Sequence, residues 1–228
     1  MSVSWERRYP EIERIIGINW LNDPKNQAHP LFDIDDGWYL TNLNKYLENV
    51  QKRKRTRDQL RDQQQFWDIY YEFEIAYFLK KFGLKPELHE TICGIETDIF
   101  LKQEKLVIEI KHLRTPHAVA KKTKRFDPKA KSHPITNAVN ITYLNMKRMR
   151  SYLEQKRFQN IYPNIVFYCP DIMAGRCYDL KNLIEKSQIP REVSALAIWK
   201  NQEITCYLEN PFGKKLEWKS SELQNFFK

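Results

Sequence analysis

Apolar residues recur at the spacing of helices between Gly37 and Gly83. A first series steps by three or four residues through Leu40, Leu43, Leu47 and Val50. A second series does the same through Phe66, Ile69, Tyr70, Phe73, Ala76, Tyr77 and Leu79. Such steps place side chains on one face of a helix. Because no glycine or proline occurs from Trp38 to Phe82, the pattern predicts either one long helix or two helices separated near Thr56.

The pattern changes to that of short strands after Gly83. Three segments rich in aliphatic residues, LKPELHETI, TDIFLKQ and KLVIEIKH, are separated by the turn-like sequences CGIE and QEK, which predicts an antiparallel meander. A helix from about Thr136 to Arg157, a strand over Asn164 to Pro170, a short helix and two further strands are predicted to follow. This order of elements predicts an α/β fold of mixed α+β type, in which helices flank a mixed β-sheet.

The size of the chain favours one main domain. Its 228 residues, 42% of them hydrophobic, suffice for one mid-sized core. We therefore predict an N-terminal helical arm over residues 1–60 and a single domain over residues 61–228. No apolar run approaches the roughly 20 residues that cross a bilayer, and the first residues lack the features of a signal peptide. These features predict a cytoplasmic protein that does not bind membranes, with its four cysteines as reduced thiols.

Positive charge is concentrated in one part of the chain. The chain carries a net charge of +9, and residues 118–157 hold eleven basic residues against only Asp127 and Glu154. That segment therefore accounts for the whole net charge. Concentrated positive charge is typical of proteins that bind a polyanion, of which nucleic acid is the leading candidate. The alternative is a solvated basic loop followed by a charged helix face.

Two carboxylates and a lysine are predicted to meet on one face of the meander. Glu109 and Lys111 alternate with Ile108 and Ile110 along the third strand, so both charged side chains point to the same face. Asp98 opens the preceding strand, and a hairpin would bring its carboxylate next to Glu109. Two carboxylates in an apolar setting are costly unless a cation neutralises them. Hard oxygen ligands of this kind suit Mg²⁺ or Mn²⁺. The alternative is a solvent-facing salt bridge between Glu109 and Lys111.

A third acidic residue precedes the meander. Glu72 lies four residues before Ala76 and seven before Leu79, which places it on the apolar stripe of its helix. Glu74 is the weaker alternative, because helical geometry turns it toward the solvent face.

These residues resemble the PD-(D/E)xK nuclease superfamily, which includes restriction endonucleases, Holliday-junction resolvases and Mrr-like enzymes. Its members often have a helical Glu followed eleven residues later by Gly, and Glu72 and Gly83 have this spacing. The segment TDIFLKQEKLVIEIKH then resembles the superfamily's Asp strand and ExK strand, with Asp98, Glu109 and Lys111 at the motif positions. Thr97 stands where the motif has proline. The pattern (D/E)xK occurs six times in the chain, but only the one at Glu109 follows an upstream acid on a neighbouring strand.

The resemblance implies a restriction-endonuclease-like core and a metal-dependent endonuclease that hydrolyses phosphodiester bonds. The substrate is DNA, with RNA as an alternative, and the reaction belongs to restriction, recombination, transposition or repair. Mg²⁺, or Mn²⁺ in its place, is expected on Asp98, Glu109 and the backbone of Ile110, with Glu72 as a further ligand. Lys111 is expected to orient the attacking water. By the same analogy, a homodimer with two active sites suits a double-strand cut.

The basic residues are the predicted contacts to nucleic-acid phosphates. They comprise Lys121, Lys122, Lys124, Arg125, Lys129 and Lys131 in a loop, followed by Lys147, Arg148 and Arg150 on a helix. Phosphate contacts position a substrate but carry no sequence information. Two alternatives remain open. One is a non-catalytic nucleic-acid-binding protein on a nuclease-like fold, and the other is a protein-interaction module built on the helical arm.

Overall fold

The computed structural model describes residues 8–33, 37–48, 50, 54–113, 146–170, 177–185 and 189–227. Contacts divide the chain into two compact units, Met1–Phe78 and Leu79–Lys228. The predicted division into residues 1–60 and 61–228 stays a prediction. Of the described helices, none combines the length and the apolar character needed to span a membrane.

The first unit is helical. Its elements are α1 (Pro10–Ile16), α2 (Ile18–Leu21), a 3-10 turn (Pro24–Asn26), α3 (Pro30–Asp33), α4 (Gly37–Tyr46), α5 (Lys54–Arg61) and most of α6 (Phe66–Lys81). Proline at the first position of α1 needs no hydrogen-bond acceptor there. Arg61 donates to the carbonyl oxygen of Ile16 at the end of α1, and α1 buries its isoleucines completely. A guanidinium thus satisfies a helix terminus inside this unit.

Three helices, α4, α5 and α6, occupy the stretch for which the sequence predicted one or two. α4 ends at Tyr46 and α5 begins at Lys54, two residues before Thr56, which lies buried within α5. A second break, which the sequence did not predict, falls at Asp62, whose Oδ1 accepts from the amides of Gln64 at 2.6 Å and Gln65 at 3.2 Å. A short acidic side chain that binds its own following amides competes with helix continuation and starts the next helix.

The second unit is built on a six-stranded sheet with the order β1-β4-β5-β6-β7-β8. Its strands are β1 (Pro86–Leu88), β4 (Ile99–Leu101), β5 (Leu106–Leu113), β6 (Asn164–Pro170), β7 (Val193–Lys200) and β8 (Glu203–Glu209). The first three pair antiparallel, which confirms the predicted meander. A separate hairpin of β2 (Thr91–Ile92) and β3 (Ile95–Glu96) is inserted between β1 and β4.

The centre of the sheet is parallel because helices connect its strands. β5 pairs parallel with β6, and β6 with β7. The connections contain α7, described over residues 146–155, and α8 (Cys177–Glu185). Parallel neighbours require such crossovers, which cover the sheet faces. The predicted helix and strands therefore exist, while the predicted helix start near Thr136 lies outside the described residues.

Apolar side chains cover both faces of β6, which is buried along its whole length. One face packs against α7 and α8 through Met149, Leu153, Leu180, Val166 and Tyr168. The other face carries an aromatic cluster of Phe167, Trp199, Phe226 and Phe227. The last two belong to α9 (Ser221–Phe227), a helix that the sequence analysis did not predict.

The expectation of four reduced cysteines is wrong, because a disulfide bond is present. Cys206 in β8 is disulfide-bonded, whereas Cys93 and Cys169 are free thiols. Spacing along the chain gave no signal of this bond, because it depends on which elements pack together in three dimensions.

A buried amide network fixes the start of β6. The side chain of Asn164 accepts from Gln159 Nε2 at 2.8 Å and donates to the carbonyls of Gln159 at 2.8 Å and Glu192 at 2.7 Å. Asn164 has no exposed surface. It therefore joins the loop before β6 to the residue before β7, and a buried network of this kind requires that every member be satisfied.

We predict that Asn164→Ala lowers the free energy of unfolding by about 2–4 kcal/mol, because several buried polar groups lose their partners. Urea denaturation measures this change. Asn160→Ala is the matched control, since Asn160 is exposed and its replacement should change stability by less than about 0.5 kcal/mol. Equal stabilities of the two variants would contradict the role given to the network.

Candidate active site

Asp98 lies where the β4–β5 ladder ends. The last pair is Ile99 with Ile108, so the same register sets Asp98 opposite Glu109. Asp98 Oδ2 accepts from the backbone amide of Ile110 at 2.6 Å. Because β4 begins only at Ile99, no described strand residue accepts from this amide on that side. The Asp98 carboxylate serves as its acceptor instead. The described contact of Ile110 is thus its amide, and its predicted use as a carbonyl ligand stays a prediction.

Glu109 is a completely buried carboxylate in the middle of β5. None of its surface is exposed, and it pairs with Val166 of β6. Lys156 Nζ lies 2.7 Å from Glu109 Oε2. Burial, followed by the charge of the Asp98 carboxylate, raises the pKa of Glu109 and Lys156 lowers it, with the net result of a pKa of about 8. The site therefore holds a carboxylate that strongly favours a proton or a nearby cation.

Lys111 shares the strand face of Glu109, two residues further along β5. Its Nζ lies 5.6 Å from the ring centroid of Tyr152, a distance at which a cation is attracted to an aromatic face. The amide of Lys156 donates to the carbonyl of Tyr152 at 2.8 Å and closes the last turn of α7. Tyr152 and Lys156, four residues apart on the helix, therefore lie against Lys111 and Glu109, two residues apart on the strand.

Lys156 is a site residue that the sequence analysis counted only as part of the basic segment. A signal for it was present, since Met149, Leu153 and Lys156 follow at steps of four and three on the apolar stripe of α7. A lysine on such a stripe is expected to find a buried acid. The identity of that acid depends on how α7 packs over β5, with the helix running antiparallel to the strand so that Tyr152 lies by Lys111 and Lys156 by Glu109.

The two helical acids Glu72 and Glu74 lie in the first unit. Both are buried, so the predicted solvent-side position of Glu74 is wrong. Tyr46 donates its hydroxyl hydrogen to Glu74 Oε1 at 2.9 Å, and burial, followed by the charge of Glu74, raises the pKa of Tyr46. Glu74 thus belongs to a buried polar contact within the helical unit. Burial of Glu72 agrees with its position on the apolar stripe, and its role with the sheet carboxylates stays a prediction.

The predicted phosphate contacts are described only in part. Lys121, Lys122, Lys124, Arg125, Lys129 and Lys131 lie outside the described residues. Lys147, Arg148 and Arg150 are exposed on α7, and Arg150 forms an ion pair with Glu154 at 2.7 Å. Since Met149 and Leu153 are buried, these basic residues occupy the outward side of the helix whose inward side carries Tyr152.

The donor chemistry of Asp98 and Glu109 fits a hard divalent cation. Mg²⁺ is commonly held by one or two carboxylates, with water and phosphate oxygens completing its shell. The desolvated Glu109 gains from any added positive charge, which Lys156 supplies in this structure. Within the described ranges, no group of three or more His, Cys, Asp or Glu side chains is arranged to hold a metal.

Comparisons of the chain with protein-family models, with curated proteins and with solved structures find no match. The resemblance to the nuclease superfamily therefore stays a prediction. Its support is the order and spacing of Asp98, Glu109 and Lys111 and the contacts that surround them.

We predict that Glu109→Gln changes how stability depends on pH. The pKa of Glu109 is about 8 in the folded protein, above its ordinary value of 4.5. The folded state thus holds this proton more tightly, and the free energy of unfolding falls as pH rises between these two values. Glutamine removes this contribution. The variant should gain stability relative to the wild type from pH 5 to pH 8, measured by urea denaturation in EDTA. A difference that stays constant over this range would contradict the assignment.

Proposed function

We propose that this protein is a metal-dependent endonuclease that hydrolyses phosphodiester bonds in DNA. The observation that carries the proposal is that Asp98, directly before β4, lies opposite the buried Glu109 of β5, with Lys111 on the same strand face as Glu109. A buried carboxylate destabilises a fold unless a proton or a cation neutralises it. Carboxylates in such settings are often found at functional sites. Binding of a divalent cation and a phosphate is a purpose that suits two acids and an amine.

The order of elements supports the finer proposal of a restriction-endonuclease-like core. Helix α6 precedes the antiparallel strands β1, β4 and β5, and α7 then leads into β6, parallel to β5. The proposed acids and lysine lie on β5 and directly before β4. This is the arrangement that the resemblance implies for the superfamily's core.

In the proposed site, Asp98 and Glu109 would hold the metal, while the role of Glu72 as a further ligand stays a prediction from the resemblance. A bound Mg²⁺ supplies Lewis-acid polarisation of the scissile phosphate and lowers the pKa of a bound water. Lys111 orients the attacking water and stabilises the negative charge that develops on the phosphate. Lys156 lowers the pKa of Glu109 and so favours the ionised carboxylate that a metal requires.

The exposed basic side chains of α7 are the proposed contacts to the DNA backbone. Lys147, Arg148 and Arg150 project from the same helix that meets Glu109 through Lys156. These side chains lie on the outward side of α7, so in this proposal they position the DNA backbone across the helix from the reactive groups. A homodimer with two such sites is the proposed arrangement for cutting both strands.

One observation favours a second candidate function, a non-catalytic nucleic-acid-binding protein. The ion pair of Lys156 with Glu109 gives the buried carboxylate a counterion within the protein. If this pair is permanent, the site is a structural salt bridge. The basic face of α7 would then bind nucleic acid without cleavage.

We predict that the wild type nicks or linearises supercoiled plasmid in Mg²⁺ or Mn²⁺ but not in EDTA. Lys111→Ala and Asp98→Ala should lower the rate by about 100-fold or more, the usual effect of losing a group that stabilises transition-state charge. Gel electrophoresis over a time course measures the rates, and circular dichroism checks that the variants are folded.

Lys102→Ala and Glu87→Gln are the matched controls, since both residues are exposed on the same meander. Both should cleave at the wild-type rate. A wild type that shifts DNA at low salt but leaves plasmid, branched and single-stranded DNA intact in both metals would reject the nuclease and favour the binding protein.

A further inference from the structure

A cavity of the sheet unit lies at the end where β5 and β6 begin. It has a volume of about 470 Å³ and is formed by the β4–β5 turn, the segment before β6 and the segment before α9. At a strand rise of about 3.3 Å per residue, its residue Leu106 lies roughly 17 Å along β5 from Lys111. The cavity is thus distinct from the carboxylate site, and its size is that of small-molecule sites in proteins.

The walls of this cavity carry an excess of positive charge. Lysines at positions 105, 214, 215 and 219 line it, against the two acids Glu104 and Glu217. Lys214 donates to the carbonyl oxygen of Asn160, which draws the segment before α9 toward the segment before β6. Lys215 and Lys219 are exposed. The rim therefore attracts anionic groups such as phosphates.

Two aromatic side chains line the same cavity, and each packs against further aromatic rings of the sheet unit. Tyr162 is stacked on Phe100 with ring centroids 5.3 Å apart. Trp218 contacts Phe227 at 5.3 Å and Tyr207 at 5.7 Å. Both Tyr162 and Trp218 are only partly buried. Aromatic rings fixed in this way and combined with lysines are the usual platform on which the bases of a single strand stack.

Glu104 adds an acceptor to the cavity wall. Its Oε2 atom is buried and has no hydrogen-bond donor among the described residues. A buried acceptor of this kind suits an N–H group of the ligand, since an anionic ligand alone would be repelled. The exocyclic amino group of a nucleobase is such a donor, and carboxylates accept from N4 of cytosine.

We propose that this cavity binds a nucleobase of single-stranded nucleic acid. Trp218 and Tyr162 stack against the base, Glu104 accepts from its amino group, and Lys215 and Lys219 contact the flanking phosphates. Cytosine is favoured over thymine, because thymine presents carbonyl oxygens on both sides of its only ring N–H. This binding requires no metal and no cleavage, so it can be tested independently of the proposed nuclease activity.

Fluorescence anisotropy with labelled ten-nucleotide strands of dC and of dT, in EDTA at pH 7.5, tests the proposal on the full chain. The wild type should bind dC more tightly than dT. Trp218→Ala should weaken binding at least about fivefold, the loss expected when one stacked base is released. Trp38→Ala is the control, since Trp38 is an exposed tryptophan of the helical unit, and it should bind as the wild type does.

Two further variants keep the test decisive if Trp218→Ala fails to fold. Glu104→Gln should remove the preference for dC over dT, because an amide both donates and accepts. Lys215→Ala with Lys219→Ala should lower the slope of log affinity against log salt by about 0.7 for each lost phosphate contact. Lys85→Ala, at an exposed lysine, should leave it unchanged.

Equal affinity of wild type for dC and dT, together with an unchanged salt slope in the lysine variant, would overturn the proposal. Complete competition by inorganic phosphate or by an acidic peptide, with no effect of base identity, would also overturn it. In that case the cavity is an anion or peptide site. Strand binding that follows these variants while plasmid stays uncut would support the cavity and reject the nuclease alone.

Discussion

The burial of Glu109 is the constraint around which the sheet unit is organised. A carboxylate without exposed surface on a central strand must meet a proton or a cation, because its desolvation is otherwise too costly. Lys156 supplies a cation at 2.7 Å, while Asp98 sits opposite and satisfies the next backbone amide of the strand. The buried carboxylate of Glu109 in β5 thus lies next to both the residue that precedes β4 and the end of the crossover helix α7.

The parallel pairing of β5 and β6 makes this meeting possible. Parallel strands require a crossover, and here the crossover ends in α7, whose apolar side chains Met149 and Leu153 join the core above β6. That packing fixes the helix over the strand and brings Lys156 to Glu109. The outward side of the same helix remains basic. One helix therefore carries the cation that meets Glu109 on its inward side and the proposed phosphate contacts on its outward side.

Much of this could be predicted from local patterns, and the rest depends on tertiary packing. Aliphatic runs between turn sequences predicted the strands, and the register of a hairpin predicted that Asp98 lies beside Glu109. The helix break at Asp62 was missed because side-chain capping overrides an uninterrupted apolar pattern. Burial of Glu74 was missed because Tyr46, far away in sequence, supplies its partner. The resemblance to a nuclease superfamily came from spacing alone, and no comparison with known proteins adds to it.

The central claim is that Asp98 and Glu109 together bind a divalent cation in place of the contact with Lys156. Anomalous diffraction from crystals soaked in Mn²⁺ tests it most directly. The account predicts an anomalous peak within about 2.3 Å of both carboxylates, near the distances typical of Mg²⁺ and Ca²⁺ with oxygen ligands, and Lys156 displaced from Glu109. Crystals with no such peak and with the ion pair intact would contradict the account and leave Glu109 as one half of a structural salt bridge.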